Sequence, residues 1–519
     1  MKLSNLYLFL ILLLGSCDTG PAPLDELVLL YEGQILGVKD TESDIISYKG
    51  IPFAAPPVGE LRWKAPQAVE PWEGVLNCDA FSASPVQGKP VPFMFWSEEF
   101  LIPAEPISED CLYLNIWSGA ESPDEQLPVL VYIYGGGFRS GGSGCAIYDG
   151  TSMASKGVVF VSINYRVGLF GFLAHPGLSA EADYGSSGNY GILDMIAALE
   201  WVKRNIAQFG GDPGNVTIAG QSAGAFGVNY LTVSPLAGGL FHRAIAQSGA
   251  SFVSSPLRAA LDLKRAEELG LEFANNMGAG SLADLRNLPA DSILMAPGGL
   301  YSPFVDGYVI PEEVMDAYSS GKQNDVPVLI GWNRDDRMLA RPQAAALFRE
   351  QIRGRFGELA EDFFAVYPTA TEEESKQSQF DMSRDQAFGI QMYTWAKMQT
   401  KSGHSGAWVY NFNRGLPAYT PETAFGAFHS GEIVYAYDNL HTLDRPWEDI
   451  DQQIAGQMSD YLVNFATAGD PNGPGLPQWD PYEKQSEQVM LLDSIMGQQT
   501  LPDRAKLHFW EKIFASEGE

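Results

Sequence analysis

The stretch GILDMIAALEWVKRNIAQFGGDPGNVTIAGQSAGA, residues 191–225, does most to limit what this chain can become. Its apolar residues Ile192, Ile196, Leu199, Val202 and Ile206 recur at helical spacing, and Gly210 and Gly211 end the helix. A β-branched strand, Val216 to Ile218, then runs into a tight glycine turn, and small residues let a second helix open close behind it. Elsewhere the same unit recurs. LPVLVYIYGGGF (127–138), KGVVFVSINYRVG (156–168), HRAIAQSG (242–249), VPVLIGWN (326–333) and GAWVYNFN (406–413) read as further strands. They are mostly apolar rather than alternating, the pattern of strands covered on both faces. The sequence therefore predicts an α/β fold, a mainly parallel twisted sheet with helices on both faces. In such sheets ligands bind where loops leave the carboxyl ends of the strands.

No composition shift divides the chain after residue 27, so 27–519 reads as one domain. Helical patterns between about 255 and 325 read as an insertion over the sheet. The net charge is −31, from 64 acidic and 33 basic residues. Such a surface repels phosphates, which argues against nucleic acid as a partner. Before the domain, Lys2 is followed by the apolar run Leu6 to Leu14, too short to span a bilayer but suited to a signal peptide. It ends in LGSC, which resembles the bacterial lipobox. The expectation is a lipoprotein-type signal over 1–16, lipid on Cys17 and a tether over 17–26. The protein would then be exported and held at the cell envelope; plain secretion is the alternative. Cys78, Cys111 and Cys145 allow one bridge and one free thiol, and spacing alone does not pair them.

Ser222 lies in the turn as Gly-Gln-Ser-Ala-Gly, 220–224. A serine on a sharp strand-to-helix turn presents its oxygen as a nucleophile, and glycines two places away relieve the crowded backbone. The Ala223 N–H can then face a substrate oxyanion. YGGGF, 134–138, follows a strand and offers more backbone donors without intervening side chains. A base should be histidine, because its pKa lies near neutral. His429, in a loop of small residues, fits the order nucleophile, acid, histidine, and His404 stays open beside it. The acid should follow a strand, where Asp335 and Asp336 stand.

Together these pieces resemble the type-B carboxylesterase family, which includes the cholinesterases. The likeness is carried by YKGIPFAAPPVGELRW (48–63), SEDCLYLNIW (108–117), INYRVGLFGFL (163–173), FGGDPGNVTIAGQSAGA (209–225), GAFHSGE (426–432) and FATAGDPN (465–472), among others. It implies the α/β-hydrolase fold, with Ser222 as nucleophile, His429 as base and Gly136, Gly137 and Ala223 as oxyanion hole. Asp336 falls where the family usually has glutamate, and Arg337 where it has glycine, with Asp335 as the reserve acid. The resemblance further implies a Cys78–Cys111 disulfide, a free Cys145, and ion pairs Arg62–Glu109 and Arg166–Asp194. Gln221 stands where cholinesterases have a glutamate, which points to neutral carboxylic esters rather than choline esters. Trp96 does not align with their choline-stacking tryptophan. The loop 81–107, rich in Phe93, Phe95, Trp96 and Phe100, reads equally as a pocket mouth or a hydrophobic cluster. The expected reaction is hydrolysis through an acyl-enzyme, with no metal or cofactor, since no phosphate loop, dinucleotide fingerprint or zinc-ligand spacing occurs. Rival readings are a non-catalytic binding or adhesion protein on this fold, or a hydrolase of amides, thioesters or acylated sugars.

Overall fold

The structure, a computed structural model, describes residues 24–258, 261–299 and 301–517. The signal segment and Cys17 lie outside the described residues. An eleven-stranded sheet organises the chain. Its strands, in chain order, are β1 (Val38–Lys39), β2 (Ile46–Pro52), β3 (Tyr113–Ser118), β4 (Leu127–Ile133), β5 (Val159–Ile163), β6 (Gly211–Gln221), β7 (Arg243–Gln247), β8 (Val328–Asn333), β9 (Ala407–Phe412), β10 (Gln488–Leu492) and β11 (Gly497–Thr500). Across the sheet they run β11-β10-β9-β8-β7-β6-β4-β5-β3-β2-β1. The seven from β5 to β10 pair in parallel. β1, β2, β3 and β11 join antiparallel at the two edges.

Every residue of β5, β8 and β9 is buried, so both faces of the central sheet are covered, as their unbroken apolar runs require. Helix α1 (Tyr190–Asn205) and helix α2 (Ala223–Val233) flank β6 on either side in sequence, and both pack against it. The insertion contains helix α3 (Leu263–Asn276), started by the Asp262 carboxylate accepting the Arg265 N–H. Ala266, Gly270, Phe273 and Ala274 form its buried stripe, and Gly270 lies so close to Ala174 that a Cβ would sit 1.7 Å from the Ala174 carbonyl oxygen.

Strand β4 has β5 on one side and β6 on the other. The connections leaving β4 and β6 therefore diverge, and a crevice opens at their carboxyl ends. Outside the main sheet, three short strands, Leu27–Leu29, Gln34–Leu36 and Val75–Asn77, form a small sheet where the described chain begins. Val28 and Ile35 face the core, whereas Leu27, Leu29, Leu36 and Val75 line its exposed face.

The implied disulfide does not form: Cys78 and Cys111 are separate, buried thiols, as is Cys145. The Cys78 carbonyl accepts the Lys49 N–H, while the Phe53 N–H goes to Leu112, next to Cys111. These two attachment points are four residues apart along β2, about 13 Å at strand rise, well beyond bridging distance. Burial pushes the Cys78 thiol up to about 12 and the Cys111 thiol well above its ordinary value, so both stay protonated. The expected ion pairs do form. Arg62 grips Glu109 at 2.5 and 2.6 Å and also donates to the carbonyls of Arg286 and Leu288, tying the insertion down. Arg166 holds buried Asp194 at 2.7 and 2.8 Å.

Candidate active site

Ser222 stands between the end of β6 and the first turn of α2, with φ 56° and ψ −122°. That backbone region is close to reserved for glycine and stores roughly 1–3 kcal/mol of strain. The surrounding contacts hold it there. Its N–H donates to the Gln247 carbonyl at 2.9 Å, next door on β7. Both glycines are obligatory: a Cβ on Gly220 would lie 2.5 Å from the Gly224 carbonyl carbon, and one on Gly224 would lie 2.0 Å from the Ile133 oxygen. The strand β4, the turn and α2 thus pack backbone to backbone.

The glycine loop follows β4 directly. Gly136 and Gly137 have φ of +106° and +64°, and a Cβ on Gly136 would strike the Ser140 carbonyl at 2.2 Å. Among the described residues, no turn, loop or cap hydrogen bond uses the N–H of Gly136, Gly137 or Ala223. The three donors are therefore available to an oxygen bound beside Ser222.

His429 comes from a loop beyond β9. Its Nδ1 lies 2.7 Å from Asp336 Oδ1, and both side chains are buried. The other oxygen of Asp336 accepts the Ser248 hydroxyl at 2.7 Å and the Asn333 N–H at 2.8 Å. With every partner donating, Asp336 is an acceptor and Nδ1 carries the ring proton. Phe388 stacks on the imidazole at 4.7 Å, and Trp96 meets it edge-on at 6.2 Å. The reserve acid points elsewhere: Asp335 accepts the Ala427 N–H at 2.8 Å, pinning the histidine loop by its backbone. Arg337, where the family has glycine, lays its guanidinium over Phe380. His404 is exposed and its N–H donates to Asp325, ahead of β8, at the opposite end of the strands from Ser222.

Gln221 settles which way its amide faces. Its oxygen accepts the Ser430 hydroxyl at 3.1 Å, so its NH2 lies toward His429 Nε2, 3.3 Å away. With a proton on Nδ1, Nε2 is the acceptor in this contact. Gly135, Gly136, Gly137, Gln221, Ser222, His429 and Ser430 share a cavity of about 300 Å³. Phe93, Met94, Trp96, Phe100 and Leu101 wall it, so the aromatic loop does line the pocket, while Phe95 packs on Phe428 in the core. A second cavity, of about 80 Å³, meets Ser222 from the side of Gly137 and Ala223.

A serine hydroxyl at the turn, a buried acid–histidine pair and unused N–H groups around that serine form an arrangement suited to acyl transfer. The carboxylesterase family model matches residues 25–510. This chain belongs to the carboxylesterase family. Within that family it is 35% identical over 505 residues to fumonisin B1 esterase of Sphingopyxis macrogoltabida, covering 92% of this chain and 88% of that protein. It is 33% identical over 519 residues to para-nitrobenzyl esterase of Bacillus subtilis, covering 95% and 99%. A solved structure of PNB esterase superposes with a TM-score of 0.79 at 29% identity, covering 93% of this chain and 99% of that one. The fold is the α/β-hydrolase fold, and this carboxylesterase is a carboxylic-ester hydrolase.

Sequence reasoning missed three residues of the site. Ser248 has φ 54° at the end of β7, and Phe388 lies on a short π-helical turn. The sequence reading reached the first only as the serine in HRAIAQSG, a strand segment. The third is Glu432, fully buried beside Asn333, which donates to it. Burial, and then the Asp336 charge, push its carboxyl up to about 8.

Proposed function

We propose that this carboxylesterase works through Ser222, His429 and Asp336 by way of an acyl-enzyme. The observation that carries the reading is the 2.7 Å contact between His429 Nδ1 and Asp336, which leaves Nε2 unprotonated in the cavity that Ser222 lines. His429 takes the Ser222 proton as the oxygen attacks the ester carbonyl. The N–H groups of Gly136, Gly137 and Ala223 stabilise the oxyanion, and each such donor is worth about 3–4 kcal/mol. Protonated His429, its charge balanced by Asp336, gives its proton to the leaving alcohol. Water, activated by the same histidine, then frees the acid and restores the serine. His429 borders the larger cavity, so the alcohol leaves on that side. Its walls are aromatic and aliphatic, and Gln221 is neutral, which supports an uncharged alcohol.

Purified protein lacking residues 1–17 is expected to hydrolyse 4-nitrophenyl butyrate, and Ser222→Ala to lower kcat by about 10⁴-fold or more. Full activity of the alanine variant sinks the assignment. For location, we propose lipid attachment at Cys17 and residence at the cell envelope. The lipobox-like LGSC supports this.

A further inference from the structure

The two cavities meeting at Ser222 differ in charge. No aspartate, glutamate, lysine or arginine lines the larger one. The smaller is lined by Phe138, Phe226, Tyr230, Leu257 and Met338, and by one cation, Arg258. An ester bound to Ser222 must turn its leaving oxygen toward His429. The acyl group then falls on the other side, against Ala223, in the smaller cavity. This placement rests on the catalytic roles proposed above. We propose that Arg258 makes the acyl pocket selective for acyl groups that end in a carboxylate, so that the preferred substrates are half-esters of dicarboxylic acids with an uncharged alcohol.

Three features support a binding role. The Arg258 side chain is only 11% exposed, so an anion reaching it is shielded from water. Its fork is held by partners that a carboxylate can replace: Nη1 donates to the Ser251 hydroxyl and Nη2 to Glu313 at 2.8 Å, with the guanidinium over the Tyr230 ring. Glu313 is itself 42% exposed, so water can take over its charge when a substrate carboxylate competes for the guanidinium. A planar fork of this kind matches a carboxylate. The surrounding protein carries a net −31, which disfavours any anionic ester unless a local cation receives it. Hydrolysis adds one water to the half-ester and releases the alcohol and the dicarboxylic acid.

The test compares 4-nitrobenzyl butyrate with the mono-4-nitrobenzyl esters of succinic, glutaric and adipic acids, at fixed ionic strength, by product chromatography. The expected result is that at least one half-ester exceeds butyrate in kcat/KM by about 10-fold. Arg258→Leu should lower the half-ester to butyrate ratio by about 30- to 100-fold, mainly through KM. Arg258→Lys should retain part of that ratio, and Glu313→Gln should raise it by freeing the guanidinium. Equal kcat/KM for the charged and neutral esters in the wild type overturns the proposal. So does an equal loss on both in Arg258→Leu, which would make Arg258 a brace between the 251–258 loop and Glu313. If Arg258→Leu does not fold, the wild-type series and Arg258→Lys still decide. No turnover of any ester would instead overturn the catalytic reading on which this one rests.

Discussion

Ser222 shows what a single residue contributes and what it costs. Its left-handed backbone was foreseeable from Gly-x-Ser-x-Gly, because that spacing belongs to a turn too tight for side chains at its flanks. Replacing it with glycine removes the hydroxyl proposed as nucleophile and also the strain. Ser222→Gly is expected to be inactive yet more stable by about 1 kcal/mol, read as a rise in denaturation midpoint. The acid was less legible. Asp335 and Asp336 are neighbours in sequence, and only the fold reveals that one carboxylate meets His429 while the other holds the Ala427 N–H. Asp336→Asn should therefore lower kcat by about 10⁴-fold, with Asp335→Asn closer to 10-fold. The reverse order would mean that the acid is Asp335.

At the level of elements, strands β4 to β9 were readable because each contains a mostly apolar run, although β6 is apolar only from Val216 and its start, Gly211 to Asn215, was not legible. The edges were not. β2 (ISYKGIP) carries Lys49 and Gly50 at a bulge, and β11 (GQQT) is polar throughout, so neither presents a period. The histidine loop was legible only as a motif; its buried Glu432 requires the packing to be seen. That residue is expected to make the loop pH-sensitive. The unfolded chain loses this proton near 4.5, whereas the folded one keeps it to about 8. Between those limits the native state binds more protons, so stability is full below 4.5 and falls as pH rises to about 8, by on the order of 4–5 kcal/mol. Glu432→Gln removes the group, and the stability difference between wild type and variant should decline across that window in denaturant melts. A difference constant from pH 4.5 to 8 would show that Glu432 ionises normally.

For the whole molecule, the balance of charge and the covering of the sheet were evident from composition and pattern, and the cysteines were not. The resemblance suggested a bridge, but two thiols attached at different points along β2 stay separate whatever their redox surroundings. None of the described helices is long and apolar enough to cross a membrane. The lipid proposed for Cys17 has its own test. Cells expressing the full chain should incorporate labelled fatty acid into it, and Cys17→Ser should abolish the label. Persistent label in the variant would place the lipid elsewhere.

The packing of the Ser222 turn also governs how this enzyme can diverge. Ile133, Gly220, Gly224 and Gln247 leave no room for a new side chain at the reacting centre. Variation in specificity must therefore enter from segments that reach the cavities from afar: the 93–101 loop, Leu257 and Arg258, Ser302 and Pro303, and Met338. These form two separately replaceable walls meeting at Met338, one for each half of the ester. A library restricted to them would explore substrates without touching the chemistry.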